Sequence, residues 1–133
     1  MGARVPSRKS NSETGRIGET LARQHLENHG YQVVERNWRC QEGEIDLVAR
    51  QGGDWVFVEV KARRGDRFGA PEEAVTPAKQ QRLLRCGLMY FAEHDLGDVS
   101  WRIDVVAIEL SAKNQPVHIR VYKNAVDAAG PLE

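Results

Sequence analysis

Two stretches of the chain carry charge where apolar side chains are expected. Trp55 to Arg64 read WVFVEVKARR, an apolar run with Glu59 and Lys61 set into it two residues apart. Moving a charge out of water costs several kcal/mol or more unless it is paired, hydrogen-bonded or held by a metal. Just ahead, Glu44 to Arg50 read EIDLVAR, with Glu44 and Asp46 at the same spacing. Gly52 and Gly53 between the stretches suit a two-residue hairpin loop, because glycine tolerates the positive φ of such turns. That loop sets Asp46 opposite Glu59 and Glu44 opposite Lys61, and the period-2 rule puts all four on one face.

The two pairs carry different chemistry. Glu44 with Lys61 is a cross-strand ion pair worth about 0.2–1 kcal/mol. Asp46 with Glu59 is a pair of like charges, which destabilises a sheet unless a divalent cation, a shared proton or a basic side chain compensates. Paired carboxylates with open coordination positions suit Mg²⁺ or Mn²⁺, ions that keep waters and recruit phosphate oxygens.

The elements that must position these groups follow from periodicity. Ser12 to about His29 has helical spacing, stopped by Gly30. Its apolar face contains Ile17, Leu21, Ala22 and Leu26, and Glu19 lies at the border of that face beside Leu26. Strands are expected over Tyr31–Arg39, Glu44–Arg50 and Asp54–Ala62. Thr76 is an N-cap with Pro77 at the first helical position, opening the helix TPAKQQRLLRCGLMYFAEH. Two more strands, Trp101–Leu110 and Val117–Tyr122, complete the order αβββαββ. A meander followed by a helical crossover implies an α/β fold, a mixed β-sheet flanked by helices.

Composition sets the outer bounds. A chain of 133 residues, 41% apolar and 29% charged, fits a single globular domain over residues 13–124. The basic start at 1–12 reads as a disordered tail and 125–133 as a loose end. No apolar run approaches the roughly 20 residues of a membrane span, and the start is not a secretory signal, so a cytoplasmic location is expected. Cys40 and Cys86 form no CxxC and read as reduced, buried thiols. Nineteen basic residues against nineteen acidic ones exclude nucleic-acid binding through overall charge. A local basic site is still available in KARRGDR, which carries three net positive charges over residues 61–67, although such a cluster alone reads as a solvated strand end. On the second helix Lys79, Arg82 and Arg85 recur at i, i+3, i+6, again a solvated face by default. His25 and His29 are four apart, but HLENH lacks the Glu of a zincin, so both read as helix-face histidines. Asp104 reads as a structural partner of Arg102.

The motifs GRIGE, GEIDLVA and FVEVKAR, with the later FG, Lys79 and RID segments, resemble the PD-(D/E)xK nuclease superfamily with its restriction-endonuclease-like fold. They are closest in pattern to the YraN-type family of uncharacterised bacterial proteins, which is similar to archaeal Holliday junction resolvases. The resemblance runs from about Gly15 to Asn124. It implies Asp46 and Glu59 as metal ligands, Lys61 as the catalytic lysine, and Glu19 as the helix glutamate that resolvase-like members add to the metal site. Ile45 stands where many members of the superfamily have Pro, as is common in resolvase-like branches.

The expected function is then Mg²⁺- or Mn²⁺-dependent hydrolysis of phosphodiester bonds in structured or branched DNA. Arg63, Arg64, Arg67 and Lys79 would contact neighbouring phosphates, positioning the nucleic acid without reading its sequence. DNA is favoured over RNA as the partner, and a homodimer is expected by analogy with resolvases, which cut two strands. The alternatives are a non-catalytic nucleic-acid-binding module that keeps the fold, and an interaction domain in which the four charges form only an ion-pair network.

Overall fold

Strand alternation and two amphipathic helices assemble into three layers in the computed structural model, which describes residues 13–65 and 76–126. The elements are α1 (Glu13–Glu27), β1 (Gln32–Cys40), β2 (Gly43–Gln51), β3 (Asp54–Arg64), α2 (Pro77–Glu93), β4 (Trp101–Leu110) and β5 (Pro116–Val126). The order is the expected αβββαββ, although β5 is longer than expected and runs on to Val126. The expected 1–12 tail, Arg67 with the FG motif, and residues 127–133 lie outside the described residues.

The five strands form one sheet in the order β1-β2-β3-β4-β5. The first three make an antiparallel meander. The α2 crossover then brings β4 alongside β3 in parallel, and β5 returns antiparallel. The β2–β3 register is the one the glycine pair dictates, from Gln51 opposite Asp54 to Leu47 opposite Val58, with Gly52 at φ 59°. At the start of α2, Thr76 is extended and its hydroxyl accepts from the Lys79 N–H at 3.3 Å, ahead of Pro77. This cap satisfies one of the orphan donors of the first turn.

Each face of the sheet buries its own core. On the α2 side it is aromatic: Trp38, Phe57, Tyr90 and Phe91 pack with Trp55 and Trp101. Phe57 sits at the centre, with ring centroids 5.3 Å from Phe91, 5.7 Å from Tyr90 and 5.4 Å from Trp101. Each such pair contributes about 0.5–1.5 kcal/mol beyond its area burial. On the α1 side it is aliphatic, with Leu26, Leu47, Val56, Val58, Val60, Val106 and Ile108 wholly or almost wholly buried.

Strict alternation fails at one place in β2. Ile45 and Val48 belong to the aromatic core, whereas Leu47 and Ala49 belong to the aliphatic one, so the side-chain direction switches around Asp46. The neighbouring strand is irregular at the same level. Arg36 pairs with Leu47 and Trp38 with Ile45, which leaves Asn37, at φ 53°, opposite Asp46. Left-handed backbone in a strand is a local departure that Asn tolerates better than most residues, and irregular pairing of this kind recurs beside functional sites.

Candidate metal centre

Glu19 on α1 and the pair Glu44 and Asp46 on β2 come together. Each offers a carboxylate oxygen, and the three oxygens lie within 4.8 Å of one another. Ligands on opposite sides of a Mg²⁺ ion, each at about 2.1 Å, stand about 4.2 Å apart, so the spread fits a single small cation. Glu19 is 4% exposed and Asp46 2%. Ionised carboxylates at this spacing repel by roughly 3 kcal/mol per pair at an effective dielectric near 20. The donor set is all oxygen and all anionic, the chemistry of a hard divalent cation.

Local structure explains how each group gets there. Glu19 is carried by α1, and the residue before it is Gly18. A methyl group at position 18 would stand 2.5 Å from the Ala62 Cβ on β3, so only glycine lets the helix lie this close to the sheet. Asp46 sits where β2 changes face. One register step beyond Leu47 and Val58, its Oδ2 accepts the Val60 N–H at 2.8 Å, so a side chain takes the donor there. Glu44 is two residues before it, with its Oε2 buried and without a hydrogen-bond partner. The Arg39 Nη2 across the β1–β2 ladder stands 3.8 Å from that oxygen, near enough for charge attraction and too far for a hydrogen bond.

Glu59 is 5% exposed and faces α2, where the Lys79 Nζ approaches its Oε2 at 3.3 Å. It is not in the group of three oxygens, and Glu44 stands there instead. The ion pair expected between Glu44 and Lys61 is replaced by the approach of Arg39 to Glu44. Register arithmetic assumes an unbroken pleat, and the pleat breaks at Asp46. Glu44 could have been found from the sequence as the carboxylate nearest Asp46 on the same strand. Lys61 is half-buried, two residues beyond Glu59. Lys79, expected as a phosphate contact, is engaged with Glu59. Arg63 and Arg64 are exposed at the end of β3, and the Arg64 Nε donates to Asn114 Oδ1 at 2.8 Å. Arg85 pairs with Glu42 at 2.7 Å.

Asp104 serves a second cluster. Wholly buried, it accepts from the Tyr31 hydroxyl at 2.8 Å, the Arg102 Nε at 3.0 Å and the Asn124 N–H at 2.7 Å. Arg102 also donates to Asp54 at 2.8 Å and to Gln51. The network fastens the α1–β1 turn and β5 to the sheet, as the structural reading of Asp104 requires. Burial, then the hydrogen bond to Asp104, push the Tyr31 hydroxyl up to about 12. His25 and His29 stack at 4.1 Å and, among the described residues, join no metal-binding group.

A five-stranded mixed sheet between two helices, with a buried carboxylate cluster where β2 leaves its regular pleat, defines an α/β protein with a candidate cation site. The sequence places it more narrowly: residues 18–108 match the profile of the uncharacterised protein family UPF0102, and the chain belongs to that family. A UPF0102 protein of Syntrophus aciditrophicus is 44% identical over 119 residues, which cover 90% of this chain and 92% of that protein. One from Roseiflexus castenholzii is 47% identical over 86% of this chain and 94% of its own length. One from Geotalea daltonii is 39% identical over 95% and 98%. Among solved structures, Pyrococcus furiosus SfsA in complex with Ca²⁺ matches 86% of this chain and 62% of its own, at 12% identity and a TM-score of 0.32, a likeness too slight to carry an argument. Among the described residues, no helix is long and apolar enough to cross a membrane.

Proposed function

We propose that the protein is a divalent-cation-dependent nuclease that hydrolyses phosphodiester bonds of structured or branched DNA. The observation that carries this reading is the convergence of the Glu19, Glu44 and Asp46 oxygens within 4.8 Å, in a chain whose GEIDLVA and VEVKARR motifs resemble those of PD-(D/E)xK nucleases. Asp46, Glu19 and Glu44 would hold the cation. A bound Mg²⁺ or Mn²⁺ would polarise the phosphodiester and lower the pKa of a bound water. Lys61 would orient a water near the phosphodiester or offset the charge that builds on the phosphoryl oxygens. Glu59, held by Lys79 on the α2 side of the sheet, would join the ligand set only if Lys79 turned to a substrate phosphate. Arg63 and Arg64 hold phosphates on either side of the cut, giving shape rather than sequence preference.

One observation favours a second reading. Glu59 already has a cation in Lys79, so the fold can satisfy that charge without metal and could serve as a non-catalytic DNA-binding module. Calorimetric titration of Mn²⁺ into wild type, Glu19→Gln and Glu59→Gln, with incubation on flapped and four-way-junction DNA in Mg²⁺, separates the two. The nuclease reading expects Mn²⁺ binding that is lost in Glu19→Gln, and cleavage that is lost in both variants. DNA binding without cleavage across these substrates and metals would establish the module instead. Failure of wild type to bind Mn²⁺ would remove the site.

A further inference from the structure

Cys40 and Cys86 are separated by 45 residues of sequence, yet their Sγ atoms are 3.5 Å apart. Both are free thiols, Cys86 buried and Cys40 partly exposed. Cys40 closes β1 and pairs with Gly43 at the head of the β1–β2 hairpin. Cys86 lies in the middle of α2, where its sulfur sits so close to Gly43 that a Cβ there would be 3.6 Å from it. The adjacent Arg85–Glu42 ion pair, at 2.7 Å, already holds the same hairpin to the same helix. Two thiols in contact, on elements held in register by a neighbouring ion pair, need to close only about 1.5 Å to reach the S–S bond length of about 2.05 Å.

We propose that Cys40 and Cys86 are a redox modification site for small hydroperoxides, and that oxidation closes a disulfide fastening the β1–β2 hairpin to α2. The exposed partner reacts first. The Cys40 thiolate attacks the terminal peroxide oxygen, the O–O bond breaks, the alcohol or water leaves with a proton, and Cys40 becomes a sulfenic acid. Cys86 then attacks the Cys40 sulfur; the S–O bond breaks and water leaves, carrying the Cys86 proton. One peroxide is reduced and two thiols are oxidised. Burial, reinforced by the Cys40 contact, pushes the Cys86 thiol up to about 12, which keeps it from being the thiol that reacts first; its contact with the Cys40 sulfur is what places it for the second step. The hairpin arm that leaves Gly43 carries Glu44 and Asp46, and α2 carries Lys79, so the bond would fix the spacing between the carboxylate cluster and the Glu59–Lys79 pair.

The test uses the full-length protein, reduced and then treated with hydrogen peroxide. Intact-mass measurement should show the loss of two hydrogens. After denaturation and alkylation, reduced protein should take two labels and oxidised protein none, and a peptide map should join the segments around Cys40 and Cys86. Oxidised wild type should melt several degrees above reduced wild type. Cys40→Ser should leave melting and Cys86 labelling unchanged by peroxide, and Cys86→Ala should halt at a sulfenic acid trapped by dimedone on Cys40. Sulfinic acid on Cys40 with Cys86 still labelled, or covalent dimers in place of the internal bond, would overturn the proposal. A disulfide that leaves the melting temperature unmoved would overturn its clamping role.

Discussion

The Lys79 ammonium on α2 meets a Glu59 carboxylate oxygen on β3 at 3.3 Å. Glu59 is nearly buried, so removing its cation is costly. Lys79 is about a third exposed at its side chain, so water takes over part of the charge. Lys79→Ala is expected to lose about 1–2 kcal/mol. The same change in a Glu59→Gln background should cost clearly less. A double-mutant cycle by chemical denaturation measures the coupling, and equal costs in both backgrounds would show that the pair contributes nothing.

Gly18 places Glu19. With 2.5 Å between its would-be Cβ and that of Ala62, Gly18→Ala must lift α1 from β3. Overpacking of this kind costs about 1–3 kcal/mol. Because Glu19 is the next residue, divalent-cation affinity should fall with stability. Thermal melting with and without Mn²⁺ reads both; an unchanged Mn²⁺-induced shift would detach Glu19 from the site.

Asp104 holds Arg102, Tyr31 and the Asn124 N–H together with no exposure of its own. Asp104→Ala leaves the partly buried Arg102 with Asp54 and strands the other donors, for an expected loss of about 3–5 kcal/mol. Urea denaturation measures it. A loss below 1 kcal/mol would mean that water fills the gap at no cost.

Two tyrosines give the fold an alkaline limit. Burial, with Asp104 beside Tyr31 and Glu35 beside Tyr90, pushes both hydroxyls from the ordinary 10 up to about 12. The folded state thus favours the protonated phenol. Its contribution is complete below pH 10 and is lost as pH rises through 12. Stability should decline over that window, and near-ultraviolet absorbance should show two delayed phenol ionisations, one of them missing in Tyr31→Phe.

Local signals were enough for much of this architecture. Thr76 and Pro77 start α2 as their chemistry requires, the Gly52–Gly53 loop fixes the β2–β3 register, and the meander with its crossover sets the sheet order. What escaped the sequence depends on tertiary approach. The change of face at Asp46 arises from the irregular β1–β2 pairing opposite Asn37, which no alternation rule contains. The choice of Lys79 as partner for Glu59 depends on where α2 docks, and the thiol contact on how the hairpin head meets that helix. The candidate carboxylate site was therefore legible in Glu19 and Asp46, and blurred in the choice between Glu44 and Glu59.

The hydrogen bond from Val60 to Asp46 makes one backbone amide a witness to the chemistry beside it. Neighbouring strand amides are held by carbonyls, whose charge never varies. The Val60 amide is held by a carboxylate that a cation would also claim. Its proton resonance and its hydrogen–deuterium exchange rate should therefore shift when Mg²⁺ is added, while amides such as that of Val58 stay still, giving a readout of site occupancy that needs neither substrate nor turnover.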